Sequence, residues 1–142
     1  MEISLATDID RISWEELARL FELAPFKKRD PEKLETAFRN SLLKVFAFHG
    51  MKLVGAGRAL SDGVWCAAIY DVAVLPEYQG EGKGIGSTII RHLIQSADVE
   101  VVMLYAAPGK EEFYERFGFR KMTTAMAITP SEDEARKRGL IE

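Results

Sequence analysis

The sequence predicts an α/β fold of the α+β kind, a mixed and mostly antiparallel central sheet with flanking helices. Three observations predict it. Three strand-like runs separated by short turns follow two helical runs. A glycine-rich stretch then leads directly into another helical run, and that helix into a nearly continuous apolar strand. Such a strand–helix–strand passage joins parallel neighbours, whereas short turns join antiparallel ones.

The elements follow in order. Ile3 to Thr7 reads as a short strand. Ser13-Trp14-Glu15-Glu16 has the form of a capping box, with Ser13 as N-cap and Glu16 reaching back to it. Trp14, Leu17, Ala18, Leu20, Phe21 and Ala24 continue at helical spacing until Pro25 ends the helix. Asp30-Pro31 starts a second helix, an N-cap followed by proline at the first helical position, with Leu34, Ala37 and Phe38 on its apolar face. Lys44 to His49, Leu53 to Leu60 and Val64 to Leu75 form the meander, turning at Gly50-Met51-Lys52 and Ser61-Asp62-Gly63. Ile85, Ile89, Ile90, Leu93, Ile94 and Ala97 mark the next helix, and Val99 to Ala106 a strand buried on both faces. Pro108-Gly109 opens a short helix through Phe113, Tyr114 and Phe117, capped by Gly118. Phe119 to Thr129 reads as a last strand, and Ser131-Glu132-Asp133-Glu134 as the start of a terminal helix.

With 142 residues, 47% of them hydrophobic and 29% charged, the chain is expected to form one soluble domain over residues 1–142. The net charge of -3 and the short, mixed basic clusters argue against nucleic acid as a partner. A single cysteine, Cys66, allows no intrachain disulfide and fits a reducing, cytoplasmic compartment. In its apolar strand it reads as a small buried hydrophobe. The opening residues do not predict a signal peptide, and no apolar run predicts a membrane span. No cluster of histidine, cysteine and acidic residues has ligand spacing, so no metal is expected.

The informative segment is Val72-Ala73-Val74-Leu75-Pro76-Glu77-Tyr78-Gln79-Gly80-Glu81-Gly82-Lys83-Gly84-Ile85-Gly86-Ser87. A buried strand ends at a proline, glycines recur at every second position, and a helix follows. Glycines let a ligand approach the backbone, and a helix start offers unpaired N–H groups with a partial positive charge. Together they suit a phosphate or pyrophosphate. A P-loop is excluded because Gly84 follows Lys83 where Ser or Thr is needed. A dinucleotide fingerprint fails in every register, at Ile85, Ser87 or Ile89. The acyl-coenzyme pattern Gln/Arg-x-x-Gly-x-Gly/Ala is met by Gln79-Gly80-Glu81-Gly82-Lys83-Gly84.

With that loop, Ile69 to Gly80, and Glu112-Phe113-Tyr114-Glu115-Arg116-Phe117-Gly118-Phe119, the sequence resembles the GCN5-related N-acetyltransferase (GNAT) superfamily over nearly its whole length. The resemblance implies a splayed parallel pair formed by the strands near 64–75 and 99–106. It implies acetyl-CoA as cosubstrate, and acetyl transfer to a primary amine by direct attack, with a small-molecule acceptor favoured. It also implies that Val72, Ala73, Val74, Gln79, Gly80, Glu81, Gly82, Lys83, Gly84, Ile85, Gly86 and Ser87 hold the coenzyme. The loop departs from the usual Gln-Gly-x-Gly-Ile-Gly by two apparent extra residues. Either Gly82 and Gly84 or Gly84 and Gly86 take the two family positions. Tyr114 matches the family tyrosine near the coenzyme sulfur, where a phenol is a proton donor. A backbone N–H near Val72 would serve the oxyanion.

Strand alternation puts Ala68, Tyr70 and Val72 on one face, and Ile69 and Asp71 on the other. Tyr70 stands where relatives often place a basic group. Asp71 is a candidate base or a structural hydrogen-bonding residue beside the strand's irregularity, and both readings stay open. Phe26, Trp65 and Tyr70 are candidates to line the acceptor pocket. A non-catalytic acyl-CoA-binding sensor or partner-binding module is the alternative, and a homodimer is left open.

Overall fold

The structure, a computed structural model, describes residues 2–80 and 84–142. It comprises two compact units, residues 1–103 and 104–142. The first holds a five-stranded sheet in the order β1 (Ser4–Ala6), β2 (Leu43–His49), β3 (Lys52–Ser61), β4 (Cys66–Val74) and β5 (Val101–Met103). The first three pairings are antiparallel and β4 with β5 is parallel, as the expected fold class requires.

Helices α1 (Trp14–Leu23) and α2 (Pro31–Arg39) begin at the expected caps. Ser13 Oγ accepts from the Glu16 amide at 3.2 Å, and Asp30 accepts from the Lys33 amide at 3.0 Å. The Glu16 carboxylate does not close the capping box. It accepts from the Leu53 amide at 3.1 Å instead, which ties α1 to the start of β3. Helix α3 (Ile85–Ala97) packs on β2, β3 and β4.

The two helical layers cover opposite faces of the sheet. Arg58 on β3 lies 5.8 Å from the Phe38 ring of α2. A Cβ on its neighbour Gly57 would meet Ile89 and Leu93 of α3. Adjacent strand residues point to opposite faces, so these contacts assign α2 to one side and α3 to the other. Leu17, Leu20, Phe21, Leu34 and Phe38 fill the first layer, with Phe38 stacked on Phe46 at 5.5 Å. Ile85, Ile89, Ile90 and Leu93 fill the second.

The turn before β4 is longer than the sequence suggested. Asp62 Oδ1 accepts from the amides of Val64, Trp65 and Cys66, at 2.8, 2.8 and 3.1 Å, so the strand begins only at Cys66. These backbone donors hold the Asp62 carboxyl below its ordinary range. Cys66 is exposed, not a buried hydrophobe, with its sulfur 3.7 Å from Asp62 Oδ2. The strand expected over residues 99–106 is confined to Val101–Met103, and Val101 and Met103 are exposed. Val101 and Met103 share one face of the strand, so that face is not buried.

In the second unit, α4 (Glu111–Glu115) and α5 (Glu132–Lys137) form where expected, α5 capped by Ser131. Residues 119–129 are not a strand: no ladder is assigned to them, and Met122, Met126 and Ile128 are exposed. Alternating apolar residues become a strand only where a neighbouring backbone takes their N–H and C=O groups.

Gly57 measures how tightly the α3 layer is packed. An added Cβ would lie 2.8 Å from Ile89 Cγ2 and 3.2 Å from Leu93 Cδ1, both on fully buried side chains. Gly57→Ala should therefore destabilise the protein by about 1–3 kcal/mol, read as a lower denaturant midpoint with an unchanged slope.

Candidate active site

The site is built around a break in β4. Ala56 pairs with Ala73 and Arg58 with Tyr70, so Asp71 and Val72 together stand opposite the single residue Gly57. This is a β-bulge. Asp71 takes φ +59°, a left-handed conformation that non-glycine residues seldom adopt and that aspartate tolerates better than most.

The bulge overturns the face assignment made from simple alternation. Tyr70 lies opposite Arg58, whose guanidinium is 5.3 Å from its ring, on the face covered by α2. Val72 Cγ2 lies against Gly57 on the α3 face. Asp71 bonds to Arg58 and so shares the face of Tyr70, not that of Ile69. The extra residue reverses the side-chain parity that strict alternation had carried through to Val72.

Asp71 is engaged at both oxygens. Oδ1 is 2.7 Å from Arg29 Nη1 and Oδ2 is 2.7 Å from Arg58 Nε. Its side chain is 8% exposed, that of Arg58 16% and that of Arg29 31%. Arg58 Nη1 also donates to Ser41 Oγ at 3.2 Å, and Ser41 Oγ donates to the Ala37 carbonyl at 2.8 Å. Arg29 lies 5.0 Å from the Phe21 ring and 5.6 Å from the Phe26 ring. Phe26 packs on Phe21 at 5.2 Å, whereas Trp65 sits exposed in the turn before β4.

Beyond the bulge the sheet opens. The β4–β5 ladder ends at Ala68 with Met103, while β4 runs on through Val72 and Ala73 to Val74. Leu75 follows, its amide bonded to the Val54 carbonyl at 2.9 Å, and Pro76–Tyr78 makes one 3₁₀ turn. The Tyr78 hydroxyl is 2.7 Å from His49 Nδ1, and the Gln79 side-chain amide donates to the Val74 carbonyl at 2.7 Å. The loop entry is thus tied to the end of the strand it leaves. Gly80 has φ +114°. Glu81, Gly82 and Lys83, three of the residues assigned to coenzyme binding, lie outside the described residues.

Gly84 is the N-cap of α3, with φ +65°, and Ile85, Gly86 and Ser87 form its first turn. A glycine N-cap has no side chain to satisfy the first amides of the helix. Among the described residues, a Cβ at Gly84 would meet nothing within 4 Å. This donor set suits an anionic ligand such as a pyrophosphate.

Tyr114 belongs to the second unit. It lies on α4 with its ring 5.0 Å from Phe113 and 6.1 Å from Phe119, both edge to face. Burial raises its phenol above the ordinary value of 10.0.

Sequence reasoning missed the partners of Asp71. One signal was present: Arg58 is the lone charge in Leu53-Val54-Gly55-Ala56-Gly57-Arg58-Ala59-Leu60, and a charge inside an apolar strand needs a partner. Arg29 carried no such signal in the basic run Lys27-Lys28-Arg29.

This mixed five-stranded sheet, parallel only between β4 and β5 and flanked by helices, is the fold of acetyltransferases. The chain belongs to the acetyltransferase (GNAT) family, whose model matches residues 8–119. An uncharacterized N-acetyltransferase, ycf52, of Pyropia yezoensis is 34% identical over 113 residues, 75% of this chain and 64% of that protein. A ycf52-like N-acetyltransferase of Prochlorococcus marinus is 37% identical over 110 residues, 73% of this chain and 61% of that protein. The chain thus spans less than two thirds of the length of these relatives. A Staphylococcus aureus protein described as a probable acetyltransferase superposes with a TM-score of 0.77 at 28% identity, covering 90% of this chain and 99% of that one. No helix among the described residues is long and apolar enough to cross a membrane.

Burial holds the Tyr114 phenol above its ordinary range. A spectrophotometric titration should therefore lose a step above the ordinary phenol range in Tyr114→Phe. Because the folded phenol titrates above the unfolded one, its share of stability is complete below pH 10 and lost as pH rises through the folded value.

Proposed function

We propose that residues 1–142 work as one N-acetyltransferase domain that transfers acetyl from acetyl-CoA to a primary amine of a small molecule. The family match supports the single domain, because residues 8–119 run through both units. The observation that carries the proposal is the bulge at Asp71 and Val72, set where β4 outruns its parallel partner and just before the glycine-capped start of α3. The lone, exposed cysteine is in keeping with a reducing cytoplasm.

Acetyl-CoA supplies an activated acyl group on a thioester. The amine nitrogen attacks the carbonyl carbon, a C–N bond forms, the C–S bond breaks, and the amine proton leaves to solvent. In this proposal the first-turn amides of α3, at Ile85, Gly86 and Ser87, with Gly84 and the loop from Gln79, hold the pyrophosphate. The backbone of Val72, Ala73 and Val74 lines the pantetheine arm, and the N–H beside the bulge meets the developing oxyanion. Tyr70, on the face covered by α2, lines the acceptor side and passes the amine proton to water. Tyr114 is the donor to the leaving thiolate, and its raised pKa keeps it protonated throughout the working pH range.

Calorimetry with acetyl-CoA and free coenzyme A tests the binding half. Gly84→Asp is the control: it sets a carboxylate at the start of α3, on a backbone of positive φ that strains any side chain, so its folding is checked first. In protein shown to be folded, it should weaken coenzyme affinity by about tenfold or more through charge repulsion. Folded wild-type protein that gives no heat with either ligand would refute the loop assignment.

A thiol-release screen over tryptamine, spermidine, free amino acids and a lysine peptide tests the chemistry. Tyr114→Phe should lower kcat by about 10²-fold with coenzyme affinity retained, the usual range for a positioned acid. Tight coenzyme binding without thiol release from any amine would favour the non-catalytic sensor instead.

A further inference from the structure

Asp71 offers no free oxygen for the role of base, yet it is the most heavily engaged polar group at the bulge. We propose that Asp71 is a positioning residue, a clamp that fixes the β4 bulge through Arg58 and draws the segment between α1 and α2 onto it through Arg29. This inference rests on the acetyltransferase reading and names what sets the geometry of that site.

Four observations carry it. The two guanidiniums come from different parts of the unit, Arg58 from β3 and Arg29 from the connection between α1 and α2, and each takes a separate oxygen at 2.7 Å. The carboxylate sits at the one point where β4 departs from regular pairing, in a backbone conformation that needs holding. Arg58 is itself held, through Ser41 Oγ, to the last turn of α2, and Ser41 is only 1% exposed. Arg29 is stacked over Phe21 and Phe26, so the tie to Asp71 also places those rings. One carboxylate therefore joins the backbone proposed to serve the oxyanion to the segment proposed to face the amine.

The two arms predict different kinetics. Loss of Arg58 frees the bulge and should lower kcat, because an N–H aimed at developing charge acts mainly in the transition state. Loss of Arg29 frees the acceptor-side segment and should raise the amine KM. Asp71 itself is tested with glycine, which adopts positive φ more easily than aspartate does but offers neither oxygen. A residue needed only for its backbone conformation would be fully replaced by glycine.

The experiment measures kcat and KM with the best-turned-over amine of the screen, together with acetyl-CoA affinity by calorimetry and melting temperature, on four variants. Asp71→Gly and Arg58→Ala should each lower kcat by about tenfold or more while acetyl-CoA affinity changes less than about threefold. Arg29→Ala should raise the amine KM by about tenfold with kcat nearly unchanged, and Arg29→Lys should recover part of it. Hydrogen exchange of the peptide spanning residues 70–74 is read in parallel, and it requires no turnover. It should be faster in Asp71→Gly and Arg58→Ala than in wild type. Wild-type kinetics and wild-type exchange in Asp71→Gly would overturn the clamp. If wild type binds no acetyl-CoA, the parent reading fails, and wild-type exchange of residues 70–74 in folded Arg58→Ala then overturns the clamp separately. If Asp71→Gly does not fold, Arg29→Ala and Arg29→Lys decide through the amine KM, and equal values in both and in wild type would count against it.

Discussion

One extra residue in β4 reorganises the middle of the sheet. Opposite Gly57 the strand must fit both Asp71 and Val72, and it does so by turning Asp71 into the left-handed region. For a residue with a Cβ that conformation costs roughly 1–2 kcal/mol. Two guanidiniums on the carboxylate offset the cost and also the burial of its charge. Taking three charges out of water is itself unfavourable, so such a cluster adds little net stability over a well-packed apolar one. What it secures is a particular geometry: without both arginines the same backbone has cheaper conformations available. The parity reversal along β4 follows from this one bulge.

The other face depends on the absence of side chains. Gly55 and Gly57 leave β3 bare where α3 crosses it, and an added Cβ at Gly55 would lie 3.0 Å from Ile89 and 3.3 Å from Ile85. Ile85 is the first residue of α3 and is buried, so the position of the helix start is fixed by packing against β3. The bulge lies across from Gly57 on the neighbouring strand. Two glycines on one strand thus set how far the amides of the helix start lie from the bulge. A functional distance is here decided by core packing, which gives way far less readily than a loop does.

Much of this was legible in the sequence because it was local. Caps at Ser13, Asp30 and Ser131, the glycine turn at Gly50, and the apolar face of α3 each depend on residues within one or two turns of one another. The element order then implied a mixed sheet. What failed was non-local. Alternation through Asp71 and Val72 breaks because of a bulge whose cause lies in Arg58 and Arg29, 13 and 42 positions away along the chain. The extent of β5 depends on how long β4 stays beside it, and no pattern within residues 99–106 encodes that. Residues 119–129 read as a strand from their place in the element order, yet a ladder belongs to a pair of segments and not to one.

The glycine loop shows the same division between local pattern and assembled structure. Read as letters, Gly80, Gly82, Gly84 and Gly86 are an even series, and two registers fit the family loop. The structure separates the three that are described, Gly80, Gly84 and Gly86. Gly80 and Gly84 have positive φ, so they shape the backbone, whereas Gly86 is already in the first turn of α3 with helical neighbours. A glycine within a helix costs about 1 kcal/mol relative to alanine, and Gly86 is not needed for the turn. Its remaining use is to keep the helix start free of a side chain where a ligand approaches the amides. Within the proposed coenzyme site, we therefore assign Gly84 and Gly86 to the two glycine positions of the family loop.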